Sequence, residues 1–119
     1  MKRRDTKTYK MYVGSYCSLR GNYEYRKEEN IKNEERLNRF NNAIEKCRTK
    51  LGDDDIVNDI NDMYKDACGL LKMSINLNNT SMEHEKESID NYARILTEEY
   101  GVSDLDNFYF ENKDNPEYF

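Results

Sequence analysis

The side chains that could carry out covalent or proton-transfer chemistry are sparse in this chain of 119 residues. His84 is the only histidine, and the helical period points it away from the apolar stripe of its own segment. Cys17, Cys47 and Cys68 form no C-x-x-C pair, and no serine or cysteine can be given a base from the sequence. A phosphate-binding glycine pattern and an H-E-x-x-H motif are also missing. We therefore expect a protein that is not an enzyme and has no cofactor.

Carboxylates are abundant, and a cluster of them follows Gly52. The oxygen ligands available there to a hard cation belong to Asp53, Asp54, Asp55 and Asp59. The cluster lacks the ligand spacing and the mid-loop glycine of an EF-hand loop. Acidic residues in this position are typical of a helix start, where they cap free N–H groups and complement the helix dipole. We expect capping and no metal.

Two acidic stripes lie on the outer faces of the predicted helices. Their members are Asp55, Asp59, Asp62 and Asp66, and Glu83, Glu87, Asp90 and Glu98. The plain interpretation is a solvated face; the sharper one is a protein-binding surface that imitates nucleic acid. One stripe carries a charge about every 5 Å, against about 1.7 Å along duplex DNA, so both stripes together would be needed.

A basic row offers the complement to these stripes. Its members are Lys32, Arg36, Arg39, Lys46 and Lys50, on the flank of the first predicted helix. They could pair with the aspartates across a helical hairpin or with an acidic partner. Surface ion pairs contribute only about 0 to 1 kcal/mol each, so the intramolecular version would set register more than stability.

The N-terminal part mixes tyrosines with cations, which is what single-stranded nucleic acid needs for base stacking and phosphate contacts. The residues of this alternative site are Arg3, Arg4, Lys7, Tyr9, Lys10, Tyr12, Tyr16, Arg20, Arg26 and Lys27. A protein-binding arm would use the same residue types as anchors. Both interpretations stay open at this point.

The elements that must position these residues are predicted to be mostly α-helical. We expect a single domain, 1–119, with a small three-helix bundle over 24–51, 54–76 and 81–100. Residues 1–22 read as an extended arm or a short β-hairpin with a turn at 20–22. Residues 102–119 form an acidic aromatic tail that either packs on the bundle or docks elsewhere.

Helix boundaries are predicted from capping signals. Gly52 and Gly101 suit the position just after a helix C-terminus. After an expected loop at 76–79, Thr80 and Glu83 match a capping box that would begin the third helix. The glycine within Ala67-Cys68-Gly69 suggests the close approach of a neighbouring backbone.

The central helix has an unusually wide apolar arc. Two rows recur side by side at alternating spacings of four and three, Ile56, Ile60, Met63, Ala67 and Leu70, and Val57, Tyr64, Leu71 and Ile75. Such an arc is wider than a surface helix needs. We expect it to be buried against neighbours on two sides.

Composition favours a molecule that a partner completes. Residues 1–50 carry 14 Lys or Arg against 7 Asp or Glu, whereas residues 51–119 carry 5 against 17. The odd number of cysteines indicates a reducing, cytoplasmic setting, and no signal peptide or membrane span is expected. The abundance of Asn, Lys, Asp, Tyr and Ile fits an A+T-rich genome.

The function predicted from these features is non-catalytic protein binding, as a small inhibitor, adaptor or assembly subunit. A phage or mobile-element accessory protein, acting on a host nucleic-acid-handling enzyme through its acidic surface, is one form of that hypothesis. Nucleic-acid binding through the N-terminal arm and a structural homo-oligomer built head to tail from opposite charges are the alternatives.

Overall fold

A computed structural model describes residues 1–52 and 54–119, and in these ranges the chain is helical without any strand. Helix α1 spans Lys7–Leu51 and helix α2 spans Asp55–Tyr100. Helix α3 spans Leu105–Asn112, and a short 3-10 helix follows at Pro116–Tyr118. The mostly α prediction is confirmed, and the β-hairpin is wrong.

The extended arm is also wrong, because α1 begins at Lys7 and continues through the predicted turn at 20–22. Tyr9, Val13 and Tyr16 are buried at spacings of four and three, the period of a helix face. Residues 8–13 also show a weak strand-like alternation, with Tyr9, Met11 and Val13 on one side. Tertiary burial of the helical face decides between the two periods.

The predicted loop at 76–79 is wrong as well, since α2 runs through it without a break. Thr80 does not cap a helix; its hydroxyl donates to the Asn76 carbonyl at 3.0 Å, one turn earlier. Asn78 Nδ2 donates to Asn30 Oδ1 at 3.0 Å, and Asn30 Nδ2 donates to Asn79 Oδ1 at 2.9 Å. These bonds to α1 offset the low helix propensity of the asparagines.

The glycine stops are confirmed at both long helices. Gly52 and Gly101 have φ of 72° and 68°, a left-handed conformation that glycine adopts without steric cost. At the start of α2, Asp54 Oδ1 accepts a hydrogen bond from the Ile56 N–H at 3.0 Å, which confirms its capping role. The capping prediction for Asp53 lies outside the described residues.

The chain comprises two compact units, and the single-domain organisation stays a prediction. Unit 1 is Met1–Tyr25 with Ser81–Phe119. Its core is formed by Tyr9, Val13, Tyr16, Cys17, Leu96, Tyr100, Val102 and Tyr109. The C-terminal residues of the chain pack onto this core, since Tyr109 of α3 is buried and Tyr118 contacts the cluster.

Unit 2 is Arg26–Thr80 and consists of one antiparallel pair of helical segments. Ile44 of α1 and Val57 and Cys68 of α2 are buried between them. Phe40 packs against Tyr64 with 5.6 Å between ring centroids. Two helices give a thin core, because each has only one neighbour within the unit.

Candidate protein interface

The most unusual surface of unit 2 is a row of exposed apolar side chains on α2. The apolar seam, as we name it, consists of the exposed residues Ile56, Ile60, Met63, Leu70 and Leu77 and of Ala67, which is half-buried. Met63 is 72% exposed, and Ile56, Leu70 and Leu77 are each 66% to 68% exposed. At 1.5 Å per residue the seam is about 32 Å long. Contiguous exposed apolar surface of this kind marks interaction sites on protein surfaces.

The sequence predicted burial of both apolar rows of α2, and this is wrong for the seam. The neighbouring row, with Val57, Tyr64 and Leu71, is buried or half-buried, while Met63 and Leu70 face solvent. The physical reason is that α1 alone packs on α2 within unit 2 and covers only one row. Gly69 likewise has no neighbour within 4 Å of an added Cβ, so the predicted close backbone approach is absent.

An acidic row borders the seam on its outer side. Asp55, Asp59, Asp62 and Asp66 each directly precede a seam residue, which places them one step of about 100° further around the helix. All four are exposed. Among the described residues none of the four forms an ion pair.

The basic row borders the seam on the side of α1. Each of its members except Lys32 directly precedes a residue of one apolar row of α1, which consists of Leu37, Phe40, Ile44, Cys47 and Leu51. This row is buried or half-buried except at Leu51. When two right-handed helices pack antiparallel, each has a row of residues that faces the other helix. The residues that directly precede these two rows lie on the same side of the helix pair. The face of unit 2 that carries the seam therefore shows three parallel rows, in the order basic, apolar, acidic.

The predicted pairing of the basic row with the acidic row across the hairpin is wrong for the described residues. No ion pair joins the two rows there, and Arg36 instead donates to Asn33 Oδ1 at 3.4 Å. The seam separates the two rows, which explains why their long side chains do not meet.

The remaining acidic residues of the predicted surface lie in unit 1, whereas the acidic row lies in unit 2. Glu83, Glu87, Asp90 and Glu98 are exposed on α2. Glu98 lies 3.7 Å from Arg94 in an i,i+4 pair, and Asp90 shares a surface cleft with Arg20 and Lys86. Glu98 and Asp90 therefore have cations near them.

Most tyrosines of the alternative nucleic-acid site are part of the unit 1 core. Tyr9 and Tyr16 are buried, and Tyr12 packs between Tyr92 and Tyr100, with ring centroids 5.9 and 6.1 Å away. These three rings are not free to stack on bases.

The cations of that site are largely engaged within the chain. Arg4 donates to the Tyr100 carbonyl at 2.9 Å, and Lys10 pairs with Glu117 at 2.9 Å. Arg3 pairs with Asp5, Arg26 donates to Asn78 Oδ1 at 3.5 Å, and Lys7 and Lys27 are exposed. Arg3 and Arg4 are exposed as well, so contacts within the chain leave part of these side chains open to solvent.

Arg20 holds α3 against α1, a structural role that the sequence did not reveal. Its guanidinium donates to Tyr16 Oη at 2.9 Å and to the Leu105 carbonyl at 3.2 Å, and pairs with the Asp106 carboxylate. It also lies 4.6 Å from the ring centroid of Tyr109. Burial opposes the charge, yet the hydrogen bonds to Asp106 and Tyr16 outweigh it and raise the pKa of Arg20.

No protein-family model, curated protein or solved structure matches this chain. The described helices include none whose length and apolar character would let it cross a membrane.

Proposed function

We propose that this protein binds another polypeptide through the apolar seam of unit 2 and that it acts without catalysis, as an adaptor, inhibitor or assembly subunit. The observation that carries the proposal is the exposed seam bordered by one basic and one acidic row. The three cysteines are free, and Cys17 and Cys68 are buried, which fits the reducing cytoplasm as its location.

The pattern of the seam supports a helix as the bound element. Anchors at alternating spacings of three and four residues are typical of helix pairing and of amphipathic helices in grooves. The seam spans three heptads, the shortest length over which such a repeat argues for a coiled coil, with Ser74 at the position between Leu70 and Leu77. The charged rows on both sides would fix the orientation of the bound helix.

Nucleic-acid binding through the N-terminal residues is supported less well, because Tyr9 and Tyr16 are buried. A blocking role towards a host nucleic-acid-handling enzyme remains a hypothesis based on charge alone. The acidic row carries about one charge every 5 Å, which imitates a phosphate backbone poorly.

The proposal can be tested by placing a photo-crosslinking residue at Met63, inside the seam, and in a second variant at Met11. Met11 is 58% exposed on α1 in unit 1 and serves as the matched control. Irradiation in the native cell should give one discrete covalent adduct from position 63 and none from position 11, and mass spectrometry identifies the joined chain.

Absence of any discrete adduct from position 63 would contradict the proposal, provided that the variant protein keeps its helix content. Equal adducts from both positions would also contradict it, since they would reflect exposure rather than a specific interface.

A further inference from the structure

We propose that the occupant of the apolar seam is a second copy of this chain, bound with the two α2 helices parallel and related by a two-fold axis. This inference rests on the proposed function and names the partner. It is carried by the arrangement of charge across the face of unit 2, which is complementary to itself in one orientation only.

The three rows have a fixed lateral order across the face of unit 2: basic, apolar, acidic. A two-fold axis parallel to α2 places the seam of one copy against the seam of the other. The lateral order of the rows on the second copy is then the reverse of the order on the first. The basic row of each copy then lies opposite the acidic row of the other, on both sides of the seam. Such an interface is closed, because each copy uses its one seam.

The charges of the two copies also match in their position along the helix axis. Within unit 2, Phe40 packs on Tyr64 at 5.6 Å between ring centroids, and Cys68 Sγ donates to Asn41 Oδ1 at 3.7 Å. These contacts fix which residues of the antiparallel segments lie at the same level. A two-fold axis parallel to the helices preserves the levels in the second copy. The pairs that result across the interface are Arg39 with Asp66, Lys46 with Asp59 and Asp62, and Lys50 with Asp55.

The antiparallel arrangement lacks this match. A two-fold axis perpendicular to α2 keeps the lateral order, so basic rows would face each other and acidic rows would face each other. Like charges in direct opposition are unfavourable, and they would border an apolar contact where screening by water is reduced. The charge pattern therefore selects the parallel dimer.

The first experiment is sedimentation velocity on the full chain over a range of concentrations. We expect a monomer–dimer equilibrium without larger species. Met63→Glu should weaken dimerisation at least about tenfold, because it introduces a charge at the centre of the seam. Met11→Glu, in unit 1, should leave the equilibrium unchanged. Both variants should keep their helix content by circular dichroism, since both side chains are largely exposed.

The orientation is tested by disulfide cross-linking of Leu77→Cys, at one end of the seam, with Met11→Cys and the unsubstituted chain as controls. The parallel dimer places the two copies of position 77 side by side, so oxidation should join them in high yield and well above the controls. The antiparallel dimer places position 77 near position 56 of the other copy, and cross-linking would then not exceed the controls.

Three outcomes overturn the inference: a monomer at all concentrations, a dimer that Met63→Glu does not weaken, or a dimer without the cross-link at position 77. The photo-crosslinking result separates this failure from failure of the proposed function. A monomer that joins a different protein at position 63 overturns only the second copy as partner, whereas a monomer without an adduct overturns both.

Discussion

At the scale of the residue, the effect of adding a side chain to a helical glycine depends on what lies next to that glycine. A Cβ added at Gly14 would meet the Tyr118 carbonyl oxygen of the 3-10 segment, whereas one added at Gly69 would meet nothing within 4 Å. In both cases alanine favours the helix by up to about 1 kcal/mol. At Gly14 the backbone contact opposes this gain, because the whole C-terminal segment would have to move.

We therefore predict opposite signs for two identical substitutions. Gly69→Ala should raise the free energy of unfolding by about 0.5 to 1 kcal/mol, and Gly14→Ala should lower it by about 1 to 3 kcal/mol. Urea denaturation of the two variants measures both values. Stabilisation by Gly14→Ala would show that the C-terminal segment does not press on α1.

The buried thiol of Cys17 gives the stability of unit 1 a pH dependence. Burial raises the pKa of Cys17 from 9.0 to about 11, while the unfolded thiol keeps its ordinary value. Below pH 9 both states hold the proton, so stability is unaffected. Between pH 9 and 11 the unfolded state loses its proton first, and the free energy of unfolding falls by about 2 to 3 kcal/mol.

Thermal melts between pH 8 and 11 should therefore show a loss of stability that is smaller in Cys17→Ala. Burial also raises the pKa of Tyr9, Tyr16 and Tyr109, so part of the alkaline loss should persist in the variant. Equal pH dependence in both proteins would contradict a desolvated Cys17.

At the level of the element, Asn61 and Asn78 are both buried in unit 2, where α1 packs on α2, but they differ in whether the side-chain amide is hydrogen-bonded. Asn61 is 1% exposed, and neither its Oδ1 nor its Nδ2 has a hydrogen-bond partner among the described residues. Asn78 is also buried but donates to Asn30 Oδ1. An unsatisfied buried amide costs stability, whereas a satisfied one is costly to remove.

Asn61→Leu should accordingly stabilise the protein by about 1 to 3 kcal/mol, and Asn78→Leu should destabilise it by about 1 to 2 kcal/mol. Chemical denaturation with far-ultraviolet circular dichroism measures both changes. A loss of stability in Asn61→Leu comparable to that in Asn78→Leu would mean that the Asn61 amide has a partner in solution.

The helices themselves were only partly predictable from the sequence. The glycine stops at 52 and 101 follow from local backbone preference, so they were predicted correctly. The continuity of α1 through Gly14 and Gly21 was not, because glycine inside a helix signals a break unless something packs on it. Here the C-terminal segments do so: Tyr118 lies over Gly14, and Tyr109 Oη would lie 3.4 Å from a Cβ at Gly21.

At the level of the whole molecule, the residue types of the candidate interface could be predicted from the sequence better than the place of each row on the surface. The wide apolar arc of α2 and both charged rows were visible as periodic patterns. Which apolar row would face α1 and which would face solvent depends on how many helices pack in unit 2. That number depends on α1 and α2 being uninterrupted helices. The local sequence instead predicted a turn at residues 20–22 and a loop at residues 76–79.

The most direct test of the apolar seam as an interface uses native methionines as probes. Met63 lies in the seam and Met11 lies in unit 1, and both are largely exposed. Peroxide oxidation, followed by mass spectrometry, should modify them at similar rates in the dilute purified protein. In the native cell Met63 should be protected relative to Met11, because a bound chain covers it. Equal oxidation of Met63 and Met11 in the cell would contradict the account.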